Sequence, residues 1–252
     1  MELSIALMGL LVGFLVGLTG VGGAALLTPV LMLVGVQPTV AVGTDLLYNS
    51  ITKLFGIVQH YRQRTIDFAI VKYLAYGSIP GAAVAILLLR WFPLHAQDEL
   101  VKHMLGFVLI IVALLTLLKQ FAPSGWLRIS ISEKPLMEKR TLTIAIGAVL
   151  GFVVGMTSIG SGSLFAVALI YLYRLTGSQV VGTDIAHAFL LVSVAGLMHA
   201  SLGHIDYMLA LNLLVGSIPG VLVGSSLSAK VPTRPLRTVM AALILISGLK
   251  LI

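Results

Sequence analysis

The feature that most limits the fold of this chain is its division into ten apolar segments, separated by charged or glycine-rich interruptions. Of its 252 residues, 58% are hydrophobic and only 10% are charged. A soluble helical protein needs a polar face on most of its helices, and so few charged residues cannot supply one. A span in lipid has to satisfy its own backbone hydrogen bonds, so we expect helices in a membrane. The segments run over 3–18, 22–35, 41–61, 67–91, 99–120, 140–156, 161–176, 182–201, 206–229 and 234–251.

The lengths of these segments divide them into two groups. About 20 apolar residues are needed to cross about 30 Å of hydrocarbon. The third, fourth, fifth, eighth and ninth segments reach that length, and the tenth nearly does. The first, second, sixth and seventh are shorter, and a break rich in glycine or serine divides each short pair. We therefore expect broken helix pairs over 3–35 and 140–176, which either cross the membrane or are re-entrant.

The second half of the chain repeats the first. Three motifs return 138 or 139 residues later: GFLVGLT at 13–19 as GFVVGMT at 151–157, VGTD at 42–45 as VGTD at 181–184, and GSIPG at 77–81 as GSIPG at 216–220. Identities of four and five residues at one nearly constant offset indicate a duplication. We expect a first transmembrane repeat over 1–120, a linker over 121–139 and a second repeat over 140–252.

Each half holds five segments, an odd number, so the second half has to enter the membrane from the opposite side. The parity is the same if each short pair is a re-entrant hairpin and three segments cross. Two such halves form an inverted-topology repeat, which is the architecture of many secondary transporters. The predicted fold class is therefore an all-α polytopic membrane protein with two inverted repeats of about five helical segments.

The basic residues test this topology independently. One predicted side has Arg90, Lys102 and Lys250. The other collects Arg62, Arg64, Lys119, Arg128, Lys134, Lys139, Arg140, Arg174, Lys230, Arg234 and Arg237. By the positive-inside rule this richer side, with the 121–139 linker, is cytoplasmic, and both termini are extracytoplasmic. Topology thus explains the net charge of +7 without nucleic-acid binding.

The breaks inside the two short pairs form the first candidate site. TGVGG spans 19–23 and TSIGSGS spans 157–163. A helix that restarts after such a break points free N–H groups and its positive dipole end toward it, which is typical of an anion cradle. The alternative is a tight turn between two short peripheral helices. The hydroxyl donors at the breaks are those of Thr19, Thr157, Ser158, Ser161 and Ser163.

The third segment supplies the ionisable groups. Asp45, Asn49 and Lys53 lie on one helical face with Tyr48 beside it. In the eighth segment, Asp184 and His187 occupy the positions of Asp45 and Tyr48. Charges inside a membrane are costly and usually functional. Lys53 lies about 13 Å along the helix from Arg62, farther than its stem reaches, so anion binding is favoured over snorkelling to the surface.

The two aspartates and the histidines have competing interpretations. Asp45 and Asp184 each follow a threonine, so a helix-capping role is favoured, with binding of a coupling H⁺ or Na⁺ as the alternative. For His187, a site role and a buried structural hydrogen bond are equally compatible with the sequence. We expect His60, His199 and His204 at helix ends in the interfacial region.

These motifs resemble those of the TauE/SafE permeases, the family of sulfite exporters and toluenesulfonate uptake permeases. The resemblance rests on the break at 19–23 with Pro29 downstream, the VGT motif at 42–44 and the duplicated halves. It implies transport of sulfite, sulfoacetate or another organosulfonate across a prokaryotic plasma membrane without ATP. Asp45 and Asp184 depart from the family pattern, in which Ser or Asn is common. The resemblance assigns substrate contacts to Gly20, Gly22, Gly23, Gly160 and Gly162.

The function we expect is a secondary transporter of a small anion that works by alternating access. The alternative is a proton- or sodium-coupled cation carrier centred on Asp45 and Asp184. The sequence contains no nucleophile–base pair, metal-ligand cluster or nucleotide loop, so we expect neither an enzyme nor a cofactor or metal. The expected partners are the lipid bilayer and the anion, without nucleic acid, and a homo-oligomer is compatible with the sequence.

Overall fold

The structure is a computed structural model that describes residues 3–19, 24–121, 136–227 and 233–252. Within these ranges it contains ten α-helices and no strand. Five of them, α4, α5, α6, α8 and α9, are long and apolar enough to cross a membrane, which confirms the predicted all-α polytopic class. The helices are α1 Leu3–Thr19, α2 Ala24–Leu33, α3 Pro38–Arg62, α4 Phe68–Leu89, α5 Leu94–Phe121, α6 Leu136–Thr157, α7 Leu164–Leu172, α8 Gly177–Ser201, α9 Tyr207–Leu227 and α10 Thr233–Leu251.

The helix α6 is longer than predicted. It begins at Leu136, so the sixth segment is not short, and the last residues of the predicted linker belong to this helix. The charged residues at the start of α6 interrupt the apolar pattern, so the pattern predicts a later start for this helix. Lys139 is nevertheless buried, because its ammonium donates to the carbonyl of Leu172 at 2.8 Å and lies over the ring of Tyr173. The start of α6 is thereby held beside the end of α7, and the two helices form a hairpin.

The helices α3 and α8 also begin earlier than their apolar patterns. Pro38 opens α3, and a capping box between Thr176 and Gln179 opens α8. Asp45 and Asp184 therefore lie about two turns inside their helices. The prediction that these aspartates cap the helix starts is wrong.

The helices pack in pairs that the duplication relates to one another. The α1 helix packs against α9 and α4 packs against α6, while α3 contacts α8 and α5 contacts α10. The repeat equates α1 with α6 and α4 with α9, so the first two pairs are equivalent. The last two pairs each join a helix to its own copy. This arrangement is expected of two halves related by a two-fold axis, and its inversion across the membrane stays a prediction.

Glycines bring the paired helices into backbone contact. A Cβ atom at Gly13 in α1 would lie 2.5 Å from the carbonyl oxygen of Ser217 in α9. At the equivalent position in α6, Gly151 packs in the same way against Ser78 in α4. Such close approach is the usual packing device where lipid removes the hydrophobic drive between helices. It places Ser78 and Ser217 at fixed positions in the bundle interior.

The threonines beside the two aspartates hold the starts of helices in the opposite half. Thr44 on α3 accepts the N–H of Asp206 at 3.1 Å, and Thr183 on α8 accepts the N–H of Asp67 at 3.0 Å. Asp67 in turn caps α4. Thr44 and Asp67 are the repeat equivalents of Thr183 and Asp206. Each half therefore holds the start of one helix of the other half, next to Asp45 and Asp184.

Candidate functional site

A polar cluster lies in the bundle interior where α3 meets α8. Tyr48 and His187 each lie ten residues after the first residue of a 25-residue helix. At 1.5 Å per residue this is about 15 Å along the helix, so both side chains lie near the middle of their helices. The side chains of the cluster on these two helices are Asp45, Tyr48, Asn49, Lys53, Asp184 and His187, and all except the partly buried Lys53 are buried.

The carboxylate of Asp45 is held by three side-chain donors from three parts of the chain. Its Oδ2 atom accepts from Thr28 Oγ1 on α2 at 2.8 Å and from Ser158 Oγ in the break at 2.7 Å. Its Oδ1 atom accepts from Asn49 Nδ2 at 2.8 Å. A buried carboxylate is tolerated where such donors satisfy it. Asp45 therefore joins α2, α3 and the break between α6 and α7.

The duplicated GSIPG motifs supply one serine to each half of the cluster. Tyr48 is hydrogen-bonded through its hydroxyl to Ser217 on α9, and His187 Nε2 is hydrogen-bonded to Ser78 Oγ on α4 at 2.8 Å. Both serines are fully buried. The two bonds join equivalent positions of the two repeats. Sequence reasoning used these motifs only as evidence of the duplication and missed both serines, although the exact repetition of the motif was a usable signal.

The ammonium of Lys53 is directed into the bundle and not to the membrane surface. It donates to the backbone carbonyl of Ser161 in the break at 3.1 Å. In the described part of the chain no carboxylate forms a salt bridge with it. The charge nevertheless interacts electrostatically with both Asp184 and Asp45. A cation directed into the bundle is thus bound to a neutral backbone carbonyl.

The α8 side of the cluster contains two buried polar atoms that have no hydrogen-bond partner among the described residues. Among the described residues, neither Asp184 Oδ1 nor His187 Nδ1 has a hydrogen bond. Asp184 is 5% exposed and His187 is fully buried. The His187 ring lies against Phe165 of α7, with 4.3 Å between the ring centroids. Unpaired buried polar groups are costly, and they often mark a site whose ligand or proton varies.

The break between α6 and α7 differs from the open anion cradle that the sequence suggested. The N–H groups of Ser163, Leu164 and Phe165 all point to the carbonyl oxygen of Gly160, at 3.3, 3.2 and 3.4 Å. Ser158 and Gly160 have positive φ angles of 61° and 105°, which turn the backbone so that this convergence is possible. The first N–H groups of α7 are therefore already engaged. Gly162 and Ser163 are partly buried beside them.

Only one end of the first predicted break lies within the described residues. Thr19 is the last residue of α1. The predicted contacts of Gly20, Gly22 and Gly23 lie outside the described residues, and they remain predictions.

The histidines expected in the interfacial region divide into two cases. His199 lies in the last turn of α8 and His204 just after it, as predicted, and both are buried within the protein. Their interfacial depth in the membrane stays a prediction. Their Nδ1 atoms lie 3.2 Å apart, and His199 Nε2 is 2.9 Å from the carbonyl oxygen of Gly155 in α6. The equivalent His60 pairs through Nδ1 with Thr65 Oγ1 at 2.8 Å and is only partly buried. Hydrogen bonding to α6 and to a second imidazole accounts for the burial of His199.

The cluster combines one interior cation, two carboxylates and several neutral hydrogen-bonding groups. Within the described residues no group of three His, Cys, Asp or Glu side chains is placed to hold a metal ion. The chemistry available at this point is reversible binding of a small charged solute and exchange of a proton.

Comparison with known proteins agrees with this picture. The family model described as Sulfite exporter TauE/SafE matches residues 5–251. The chain is 60% identical to the probable membrane transporter protein YjnA of Bacillus subtilis over the full length of both proteins. It is 26% identical to the probable membrane transporter proteins YunE and YdhB of the same organism, over 98% of this chain and 96% and 99% of theirs. No solved structure matches it. The chain is thus a multi-pass membrane transporter that belongs to the TauE/SafE sulfite exporter family.

Proposed function

We propose that this protein is a secondary transporter of a small sulfur-containing anion such as sulfite, sulfoacetate or another organosulfonate. The anion crosses the plasma membrane by alternating access between two inverted repeats, and both chain termini are extracytoplasmic. Family membership supports the class of solute. The observation that carries the proposal is the Lys53 ammonium, which reaches the bundle interior and donates there to a neutral carbonyl.

An oxyanion is a better partner for Lys53 than the acceptor it has. An anion adds the attraction between two full charges to the hydrogen bond of the ammonium, which a neutral carbonyl cannot do. A sulfite or sulfonate oxygen can therefore displace the carbonyl of Ser161. Tyr48 and His187 each lie ten residues after the first residue of their helices. The hydroxyl of Tyr48 and the imidazole of His187 offer further donors. The substrate site we propose is centred on these three side chains.

Displacement of Ser161 also offers a physical link between binding and movement. The break between α6 and α7 is attached to α3 at two points, by Ser158 to Asp45 and by Ser161 to Lys53. An anion that takes Lys53 releases one attachment while the other stays. The break between α6 and α7 then favours a new position relative to α3. The anion thus interacts differently with the two conformations, which a shift between their populations requires.

A cation carrier centred on Asp45 and Asp184 fits the geometry less well. Asp45 already accepts three side-chain hydrogen bonds, so a bound cation would have to replace these donors. The ammonium of Lys53 also repels a cation from both carboxylates. We therefore retain the anion as the transported solute.

The proposal is tested by flux of radiolabelled sulfite and sulfoacetate into proteoliposomes. We expect Lys53→Ala to reduce the initial rate about 10- to 100-fold, because loss of a hydrogen bond to a charged group costs about 1.5–3 kcal/mol. Lys53→Arg keeps the charge and should retain part of the rate. Lys72→Ala is the matched control, because Lys72 is an exposed lysine over the ring of Tyr76 on α4.

Two results would contradict the assignment of Lys53. One is an unchanged rate in Lys53→Ala while Asp45→Asn abolishes flux, which favours the cation carrier. The other is an equal loss in Lys53→Ala and Lys72→Ala, which indicates a general effect of surface charge or expression.

A further inference from the structure

The two equivalent aspartates differ in how they are satisfied. Asp45 has three side-chain donors, whereas Asp184 Oδ1 has no hydrogen bond among the described residues although Asp184 is only 5% exposed. Part of the reason is in the sequence. Ala188 stands in α8 where Asn49 stands in α3, so the donor one turn beyond the aspartate is missing. The two halves share the carboxylate, but only the first half has this donor.

The groups around Asp184 come from each helix packed against α8. From α3 the charged neighbour is Lys53. From α4, Ser78 is bonded to His187, one turn after Asp184 on the same face. From α7 the contact to His187 is the uncharged ring of Phe165, and from α6 the contact is the carbonyl of Gly155 on His199, near the far end of α8. His187 Nδ1 is likewise unpaired.

The charges of the cluster do not balance when all three groups are ionised. Two carboxylates and one ammonium leave one excess negative charge, which opposes entry of an anion. A proton on Asp184 removes the cost of an unpaired buried charge and makes the cluster neutral. It also frees the Lys53 charge from one of its two counter-charges. Protonation of Asp184 and binding of an anion at Lys53 therefore favour one another, and such coupling is reciprocal.

We propose that Asp184 is the proton-binding residue of this transporter and that its proton moves in the same direction as the anion. This inference rests on the proposed function and adds the coupling ion, the residue that holds it and the sense of coupling. Asp45 is a structural carboxylate that stays ionised and takes up no proton during transport. A proton fits better than Na⁺ because a metal cation needs several oxygen ligands, whereas Asp184 has a neighbouring ammonium and an imidazole.

The first test measures the ratio of protons to anions. Proteoliposomes are loaded with a pH-sensitive dye and given radiolabelled sulfoacetate, whose acid groups both stay ionised near neutral pH and so contribute no protons. In the wild type we expect an acidic exterior to drive accumulation, with acidification of the interior. In Asp184→Asn the accumulation should no longer respond to the pH gradient, and the protons carried per anion should fall to background whatever rate remains.

Two variants control this measurement. Glu99→Gln removes a half-exposed carboxylate near the start of α5 and should behave like the wild type. Asp184→Glu restores a carboxyl group and should recover part of the proton response. A proton-to-anion ratio that is undiminished in Asp184→Asn overturns the proposal.

The second test does not depend on the substrate. Infrared difference spectra of the purified protein, recorded across a pH jump, report bands of protonated carboxyl groups. We expect a titrating band that is present in the wild type and Glu99→Gln and absent from Asp184→Asn with an unchanged size-exclusion profile. A band that persists in Asp184→Asn overturns the assignment. Loss of this band together with a wild type that moves neither sulfite nor sulfoacetate supports the proton site and overturns the proposed function.

Discussion

Asp45 shows how a charged side chain can serve the architecture of a membrane protein. Its two oxygen atoms collect donors from α2, from its own helix and from the break that follows α6. These segments are brought together deep in the bundle, where water is excluded and polar groups need partners from the protein. The Asp45 carboxylate is therefore the common acceptor that holds these three segments together. An aspartate that only capped a helix start would not need to do so.

Removal of this acceptor should destabilise the protein. In Asp45→Ala the hydroxyls of Thr28 and Ser158 lose their acceptor, while Asn49 keeps only its bond to the backbone carbonyl of residue 45. Each unsatisfied buried group costs about 1–3 kcal/mol. We expect a clearly lower melting temperature in detergent and little transport activity. Thr28→Val removes only one donor and should show a smaller decrease. An Asp45→Ala protein as stable as the wild type would show that the three bonds do not contribute to the fold.

At the scale of single residues, the sequence predicted the positions of charged side chains better than those of small polar ones. The helical spacing of Asp45, Asn49 and Lys53 is readable from the sequence, and their placement in one cluster follows from it. Thr28 and Ser217 are single hydroxyls in apolar segments, and only the packing of other helices makes them partners. Their roles depend on contacts across more than one helix, which local patterns do not encode.

Among the elements, the pairs α1–α9 and α4–α6 depend on glycine. The backbones touch along stripes with four-residue spacing, so an added methyl group meets main-chain atoms that cannot move aside alone. The four-residue spacing of these glycines is readable from the sequence, and the structure supplies the partner of each stripe. The start of α6 could not be predicted from apolarity, because the burial of Lys139 depends on the carbonyl of Leu172, distant in sequence.

A methyl group at the centre of one stripe should separate two helices. In Gly13→Ala the new Cβ atom would lie 2.5 Å from the carbonyl oxygen of Ser217 and 2.8 Å from its Cα atom. We expect a lower yield of monodisperse protein in size-exclusion chromatography and a lower melting temperature. Gly177→Ala is the control, since nothing lies within 4 Å of a Cβ atom there. Equal behaviour of the two variants would contradict close packing of α1 against α9.

At the scale of the whole molecule, the sequence predicted the ten helices that the described residues form, and its repeated motifs indicate the duplication. Which helices of one half pair with which helices of the other is seen only in the structure. The reason is that paired helices such as α1 and α9, or α4 and α6, are far apart in sequence. Orientation in the membrane is a separate prediction that rests on the uneven distribution of Arg and Lys.

This orientation can be tested with single cysteines, because the chain has no native cysteine. Gln63→Cys lies at the end of α3 and Ser201→Cys at the end of α8, at nearly equivalent positions of the two repeats, and both sites are exposed. In intact cells a membrane-impermeant maleimide should label Ser201→Cys, and should label Gln63→Cys only after permeabilisation. Labelling of both sites from one side would exclude an inverted repeat.

The central claim is that the two halves meet at one site where Lys53 binds a sulfur oxyanion. The most direct test is a high-resolution cryo-electron microscopy map of the protein with saturating sulfite, compared with a map without it. We predict density for the anion beside the Lys53 ammonium, between α3 and the break after α6, with the bond to Ser161 broken. Anion density elsewhere in the bundle, with the Lys53 to Ser161 bond intact, would contradict the account.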